Sequence, residues 1–119
     1  MDRTESNGAN SNSKSSSANP SPDLDSLQHQ VLCWQSKNFP DCEEWELALG
    51  VCEESGELAQ CVLKLYRGIR ADEFNEDRLK DTIGDIVIYL MGICGARNWT
   101  LAEVLRETSE RVLSRNWKA

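Results

Sequence analysis

The sequence predicts an all-α fold, a four-helix bundle preceded by a disordered N-terminal tail. Apolar residues between positions 24 and 114 recur at spacings of three and four, which is the period of helices that bury one face. Breaking and capping residues at Pro40, at Gly68 and at Thr100 divide this region into four segments. Each segment is long enough to be a helix of an ordinary small domain.

The first 22 residues differ in composition from the rest of the chain. They contain seven Ser and four Asn, and their only apolar side chains besides proline are Met1, Ala9 and Ala18. Such a segment cannot bury enough apolar surface to offset the entropy of ordering. We therefore expect residues 1–22 to be a disordered tail and residues 23–119 to form one domain. Neither the apolar core of a secretory signal nor a membrane-spanning stretch of roughly 20 residues is evident.

The first two helices are separated by a proline. The first is expected from about Leu24 to Lys37, and Pro40 enforces a break after it. Asp41 is in position to cap the second helix, which is expected from about Cys42 to Tyr66. The apolar stripe of this second helix is formed by Leu47, Val51, Leu58, Cys61 and Leu65.

Two further helices follow a loop at residues 67–73. The third is expected from Asn75 or Glu76 to Ala96. It has Ile or Val at positions 83, 86, 87 and 88, which alone would indicate a strand, but its length favours a buried helix. The segment Thr100-Leu101-Ala102-Glu103 is a capping box, so the fourth helix is expected to start there and to end near Ser114.

Two acidic clusters stand inside the second and third helices. They are Glu53-Glu54-Ser55-Gly56-Glu57 and Asp81-Thr82-Ile83-Gly84-Asp85. In helical projection Glu54 falls within the apolar stripe, Glu57 lies about 60° to one side, and Asp81 and Asp85 share a face. Both helices are therefore expected to direct carboxylates toward the interior, where an ionised carboxylate is costly unless it is paired or metal-bound.

Packing the two helices together would gather four carboxylates, Glu54, Glu57, Asp81 and Asp85, in one small volume. Like charges at such distances repel one another unless a cation lies among them. Hard carboxylate oxygens select Mg²⁺ or Mn²⁺, so the sequence predicts a site for one of these ions. For a single E-E-x-x-E segment, the solvated face of an amphipathic helix is the better interpretation. The second cluster, one helix later, favours a site.

Net charge and cysteine content argue against several classes of binding partner and against a zinc site. The formal charge is −7, which argues against binding to nucleic-acid polymers and to anionic membranes. A phosphate substrate would also be repelled without a mediating cation. The five cysteines include no C-x-x-C pair and His29 is the single histidine, so the spacing of zinc ligands is missing. We expect mostly buried thiols in a reducing compartment, with a cytoplasmic location as the default.

Taken together, these motifs resemble the MazG-like nucleotide pyrophosphohydrolases of the all-α NTP pyrophosphatase superfamily. The resemblance covers roughly Leu27 to Trp117, including W-Q-S-K-N-F-P at 34–40 and R-N-W at 115–117. It implies Mg²⁺-dependent hydrolysis of a nucleoside triphosphate to a monophosphate and pyrophosphate, by a homodimer or homotetramer. It also implies metal ligands at Glu54, Glu57 and Asp85, with Glu53 beside them. We assign Glu53 the task of orienting or deprotonating the attacking water.

The chain departs from the family pattern at position 82. The usual second motif, E-x-x-D, would place Glu where this chain has Thr82, which cannot replace a charged ligand. Either Asp81, one turn before Asp85, takes over as the fourth ligand, or a water does; we favour Asp81. The substitution keeps open a second hypothesis, a non-catalytic helical module of the same fold that binds a nucleotide, a metal or a partner helix.

Other candidate residues lie outside the acidic clusters. Basic residues flanking the loop between the acidic helices are candidates for holding phosphates, with an ordinary solvated loop as the alternative; they are Lys64, Arg67, Arg70 and Lys80. Arg115 and Asn116 are in position to reach the substrate from the end of the last helix, where Arg is also favoured by the helix dipole. Trp34 is a candidate for stacking on a nucleobase, although a Trp on an apolar stripe is more often part of the core.

Overall fold

The computed structural model describes residues 23–118, and these fold into four α-helices. Their bounds are α1, Leu24–Asn38; α2, Glu44–Arg67; α3, Glu76–Ala96; and α4, Leu101–Leu113. No strand occurs within residues 23–118, so the prediction of an all-α, four-helix fold is confirmed. The predicted disordered tail, residues 1–22, lies outside the described part of the chain.

The helix ends agree with the sequence predictions except at the start of α2. This helix begins two residues later than expected, and its N-cap is Glu43 rather than Asp41. The reason is local, since the Glu46 carboxylate accepts a hydrogen bond from the backbone N–H of Glu43 at 2.8 Å. At the other end of α2, Gly68 adopts a left-handed conformation with φ of 68°, which L side chains rarely adopt.

Helices α2 and α3 form an antiparallel hairpin and pack along most of their lengths. The sulfur of Cys61 lies against the carbonyl of Asn75 at one end of the hairpin, and Gly50 lies against Tyr89 further along. A Cβ atom placed on Gly50 would lie 2.5 Å from a ring carbon of Tyr89, so only glycine permits this approach. The hairpin brings the middle of α2 against the first half of α3, where the acidic clusters lie.

An ion pair closes the far end of the hairpin. Arg97, which caps α3, donates two hydrogen bonds to the carboxylate of Glu44 in the first turn of α2, at 2.6 and 2.9 Å. Accepting these hydrogen bonds lowers the pKa of Glu44. The bidentate geometry fixes the start of α2 relative to the end of α3.

The core lies where α3 meets α1 and α4. Its buried members are Met91 and Cys94 of α3 and Leu101 at the start of α4. Partly buried side chains from the three helices pack around them: Leu24, Val31, Val87, Leu90 and Val104. At the opposite end of the hairpin, Cys61 and Phe74 are buried separately. This core is modest, and many large apolar side chains remain at the surface.

A buried glutamine ties α1 to the junction between α3 and α4. Gln28 is 4% exposed, although nothing in the sequence pattern singles it out. Its amide nitrogen donates to the carbonyls of Met91 and Trp99 at 3.3 and 3.1 Å, and its amide oxygen accepts from the N–H of Leu101 at 2.8 Å. The side chain thereby bonds a carbonyl within α3, a carbonyl of the connection between α3 and α4, and the N–H of the first residue of α4, which has no partner within its helix.

Two expectations from the sequence concern membrane-spanning segments and the burial of the cysteine side chains. Within residues 23–118, no helix combines the length and the apolar character needed to cross a membrane. All five cysteines are free, but only Cys61 and Cys94 are buried. The prediction of mostly buried thiols is therefore wrong, because Cys33, Cys42 and Cys52 lie on the solvent-facing sides of α1, of the loop before α2 and of α2 itself.

Candidate metal centre

The two acidic clusters meet in one cleft between α2 and α3. This acidic cleft has a volume of about 510 Å³. The residues that line it are Glu53, Glu54, Glu57, Arg78, Asp81, Thr82 and Asp85. The structure thus brings together all five acidic residues that the sequence analysis selected. They are supplied by adjacent turns of two helices that the hairpin holds side by side.

The carboxylates of the cleft differ in burial. Glu54 and Glu57 of α2 are half-buried, as the helical projection predicted. Asp81 and Asp85 of α3 are exposed, so the expectation that both helices direct their acids toward the interior is wrong for α3. The reason is that Thr82, 3% exposed, is the buried residue at this level of α3, which leaves its neighbours at the rim.

The pKa of Glu54 is shifted by the charges of other acids in the cleft. Its pKa is raised above the ordinary value, first because burial disfavours the charged form, and then because of the negative charges of Asp85, Glu57 and Glu53. Glu54 therefore sits at the electrostatic centre of the cleft, where a bound cation is most stabilising.

Arg78 also lines the cleft, and the sequence analysis did not select it. Its guanidinium forms an ion pair with the carboxylate of Glu57. A signal was present, because Arg78 lies seven residues before Asp85, which is two turns of helix and nearly the same angular position. Projecting the face of Asp85 back along α3 would have placed a positive charge in the acidic cleft.

Thr82 has its hydroxyl committed within α3. The Thr82 Oγ1 donates a hydrogen bond to the carbonyl of Arg78 at 2.9 Å. This i to i−4 bond satisfies the buried hydroxyl, but it supplies no negative charge to the cleft. The position at which the MazG-like pattern usually has Glu is therefore occupied by a neutral, buried side chain.

The donor set of the cleft suits a hard divalent cation, but its arrangement is open. Five carboxylates offer oxygen ligands of the kind that Mg²⁺ and Mn²⁺ prefer. Within residues 23–118, however, no three or more Asp, Glu, His or Cys side chains are gathered closely enough to hold an ion as they stand. One of the donors, Glu57, is engaged by Arg78. The chemistry of the site fits a metal, whereas its geometry requires side-chain rearrangement.

The four predicted phosphate-binding residues around the loop lie outside the cleft. Lys80 is exposed on α3, and the other three lie at or near the loop itself. The Lys64 ammonium stacks over the ring of Phe74, 4.4 Å from its centroid. Arg67 is the last residue of α2 and is exposed. Arg70, with φ of 52°, pairs with Glu73 at 3.6 Å. None of the three lines the acidic cleft.

A larger cavity adjoins the acidic cleft through Asp85, which lines both. It has a volume of about 770 Å³ and lies between α1, the start of α2 and the second half of α3. Trp34 is part of its wall and is 53% exposed, so this tryptophan is not a core residue. Its ring meets Phe39 edge-on at 5.6 Å, and Tyr89 forms part of the same wall.

The remaining predicted substrate-binding residues lie after the end of α4. Arg115 stacks over Trp117, with 5.7 Å between its guanidinium carbon and the ring centroid. The side-chain oxygen of Asn116 accepts a hydrogen bond from the N–H of Lys118 at 3.2 Å. Neither Arg115 nor Asn116 lines the acidic cleft or the larger cavity.

Comparison with known proteins identifies no relative of this chain. No family model matches it, and no curated protein or solved structure matches it significantly.

Proposed function

We propose that this protein hydrolyses a nucleoside triphosphate, NTP or dNTP, to the nucleoside monophosphate and pyrophosphate, as a MazG-like nucleotide pyrophosphohydrolase. One observation carries the proposal. Five carboxylates from two helices line a single cleft, and burial, together with the negative charges of Asp85, Glu57 and Glu53, raises the pKa of Glu54. A cluster of this kind, with a perturbed group at its centre, is typical of sites that hold a divalent cation.

The proposed roles follow from position in the cleft. Glu54, Glu57 and Asp85 are the metal ligands for Mg²⁺ or Mn²⁺, with Asp81 at the rim as the fourth ligand in place of a water. When bound, the cation neutralises charge at the scissile anhydride and lowers the pKa of a coordinated water. Glu53, exposed at the edge of the cleft, orients or deprotonates the water that attacks phosphorus. The bond between the α-phosphorus and the bridging oxygen breaks, and pyrophosphate leaves.

The larger cavity is the proposed nucleoside site. Its volume of about 770 Å³ is in the range of small-molecule sites, and Asp85 joins it to the acidic cleft. The half-exposed ring of Trp34 offers a face for stacking on a base. Among the basic residues, Lys64, Arg67 and Arg70 lie at the loop end of the hairpin, where they are proposed to hold the β- and γ-phosphates. Arg115 and Asn116 are proposed to reach the substrate from the segment after α4.

The test is product analysis with the full chain. We expect incubation with a panel of NTPs and dNTPs and Mg²⁺ to give monophosphate and pyrophosphate in equal amounts, resolved by anion-exchange chromatography. Addition of EDTA should stop the reaction, because the substrate carries the same sign of charge as the cleft. Release of diphosphate and inorganic phosphate, or no turnover of any nucleotide, would contradict the proposal.

A non-catalytic helical module of the same fold is the second candidate. The observation that favours it is the buried, neutral Thr82 at a position that the MazG-like pattern fills with a charged ligand. Such a module would bind nucleotide or Mg²⁺ in calorimetry and release no pyrophosphate in the same panel. The two candidates therefore differ in one measurable product.

We further propose that the chain forms a homodimer or homotetramer. Large apolar side chains remain exposed on α2 and α3, and Tyr66, 89% exposed, is the most accessible of those on α2. Others on these two helices are Trp45, Leu49, Val62, Leu63, Ile83 and Ile88. A surface of this kind commonly marks an interface. Light scattering at micromolar concentration should return at least twice the mass of the 13.4 kDa chain, and a clean monomer would refute the proposal.

The cysteine thiols and the net charge are the basis for a proposed cellular compartment and a proposed class of binding partner. Three exposed free thiols favour a reducing compartment, for which the cytoplasm is the default. The net charge of −7 favours small nucleotides escorted by a cation over nucleic-acid polymers and membrane surfaces.

A further inference from the structure

We propose that Arg78 is a built-in competitor of the divalent cation, which holds Glu57 in the cation-free protein and must release it when the cation binds. The inference rests on the metal-binding role proposed above for the acidic cleft, and it names a residue that controls access to that site. Arg78 is thereby a positioning residue: it determines where the carboxylate of Glu57 lies.

Three contacts hold the Arg78 side chain at the cleft. Its guanidinium pairs with Glu57, donates to the carbonyl of Glu73 at 3.3 Å, and lies over the ring of Phe74 with its carbon 4.5 Å from the centroid. Two of these contacts do not involve the acidic cleft. Phe74 and the Glu73 carbonyl therefore remain as partners for the guanidinium after Glu57 has turned to another cation.

The positive charge of Arg78 opposes the binding of a cation to the carboxylates of the cleft. Among the described residues that line the cleft, Arg78 is the one basic side chain, against five carboxylates. Lys64, on the ring of the same Phe74, does not line the cleft. While Glu57 is paired with Arg78, it cannot offer both oxygens to a metal.

Because position 82 holds threonine rather than glutamate, the ion pair between Arg78 and Glu57 has a larger effect on the number of carboxylates available to a cation. A glutamate there would bring a further negative charge one turn after Arg78, whereas Thr82 brings none. With one fewer candidate ligand in the cleft, the engagement of Glu57 removes a larger share of the donor set. Release of Glu57 by the guanidinium would therefore return a larger share of the charged donors to a cation in the cleft.

The test is the affinity of the full chain for Mn²⁺ alone, measured by isothermal titration calorimetry. Arg78→Gln should tighten Mn²⁺ binding by about fivefold or more, since it removes both a competitor for Glu57 and a repelling charge. Arg106→Gln is the matched control, because Arg106 forms an ion pair on the exposed face of α4, and its affinity should stay within about twofold of the parent. An unchanged or weakened affinity in Arg78→Gln would overturn the inference.

A double-mutant cycle separates competition at Glu57 from simple charge repulsion. In a Glu57→Gln background, the Arg78→Gln substitution should change Mn²⁺ affinity by much less than it does in the parent. An equal gain in both backgrounds would show that the ion pair is irrelevant, and the inference would fail. Arg78→Lys, which keeps the charge and loses the planar fork, should fall between parent and Arg78→Gln.

The measurements of Mn²⁺ affinity test the inference separately from the proposed catalytic activity. Tighter Mn²⁺ binding in Arg78→Gln, without any release of pyrophosphate by the parent, would support the inference while contradicting the proposed enzymatic function. Turnover by a parent whose affinity for Mn²⁺ is insensitive to Arg78 would do the reverse. If neither the parent nor any variant binds Mn²⁺, the inference is overturned along with the metal site.

Discussion

Glu54→Gln is expected to lower pyrophosphate release on the order of 10³-fold while leaving helix content unchanged. The substitution keeps the size of the side chain and removes the charge at the centre of the acidic cleft, where Asp85, Glu57 and Glu53 all act on it. Asp85→Asn should have a similar effect, because Asp85 joins the cleft to the proposed nucleoside cavity. Steady-state assays and far-ultraviolet circular dichroism measure the two quantities.

The same substitution should raise the thermal stability of the cation-free protein at pH 7. In the folded chain the pKa of Glu54 is raised above 4.5, so a destabilisation develops as the pH rises above 4.5 and is complete once the pH exceeds the raised value. As the pH falls through this pKa and below 4.5, the parent takes up a proton and the penalty disappears. The melting temperature of Glu54→Gln should therefore exceed that of the parent at pH 7 in EDTA, and the difference should shrink toward pH 4.

Glu107→Gln provides the matched control for both effects. Glu107 is exposed on α4, interacts with Arg106 at 3.9 Å and lies outside the acidic cleft. Turnover and melting temperature should stay close to those of the parent. Full activity in Glu54→Gln would remove the cleft from consideration as the catalytic site, whatever the stability measurements give.

Gln28→Leu is expected to destabilise the fold by about 3 kcal/mol, the largest stability effect that we expect from a single substitution here. Leucine is close to glutamine in size but leaves the carbonyls of Met91 and Trp99 and the N–H of Leu101 without their buried partner. For a domain of this size, the loss corresponds to a fall in melting temperature of roughly 10–20 °C. Chemical denaturation at fixed protein concentration measures the free energy of unfolding directly.

Gln30→Leu, two residues further along α1, is the control. Gln30 is exposed and its amide donates only to the hydroxyl of Ser26, at 3.3 Å, so replacement should change the free energy of unfolding by about 0.5 kcal/mol or less. Equal effects of the two substitutions would show that the hydrogen bonds of Gln28 contribute little. The comparison isolates burial, because both changes exchange the same amide for the same alkyl group in one helix.

The helices were predictable because their signals are local. Pro40, the αL glycine Gly68 and the capping box at Thr100 each act within a turn of their own position, and the helices end or begin where these residues predict. The start of α2 was misplaced because two acidic residues, Asp41 and Glu43, compete as caps. The hydrogen bond from the N–H of Glu43 to the Glu46 carboxylate decides between them, and a single-residue preference cannot reveal it.

The acidic residues of the cleft were predictable from the sequence, whereas the side chain that pairs with one of them was not. The spacing of Glu54 and Glu57 and of Asp81 and Asp85 placed them on helix faces, and the hairpin brings those faces together. The pairing of Arg78 with Glu57 and the exposure of the α3 acids depend on how far each helix is rotated about its axis. That rotation depends on packing between residues distant in sequence, such as Gly50 against Tyr89, which periodicity alone does not specify.

All residues that line the acidic cleft belong to one helical hairpin, from Glu53 to Asp85. Forming the cleft therefore requires closure only of the loop between α2 and α3, and the entropic cost of that closure is smaller than that of bringing α1 against α3 and α4 across the whole of α2. The hairpin is consequently the part of the chain expected to assemble earliest as the protein folds. Mutual repulsion among the carboxylates then acts on the first structure to form, so divalent cations present during refolding should increase the folding rate as well as the final stability.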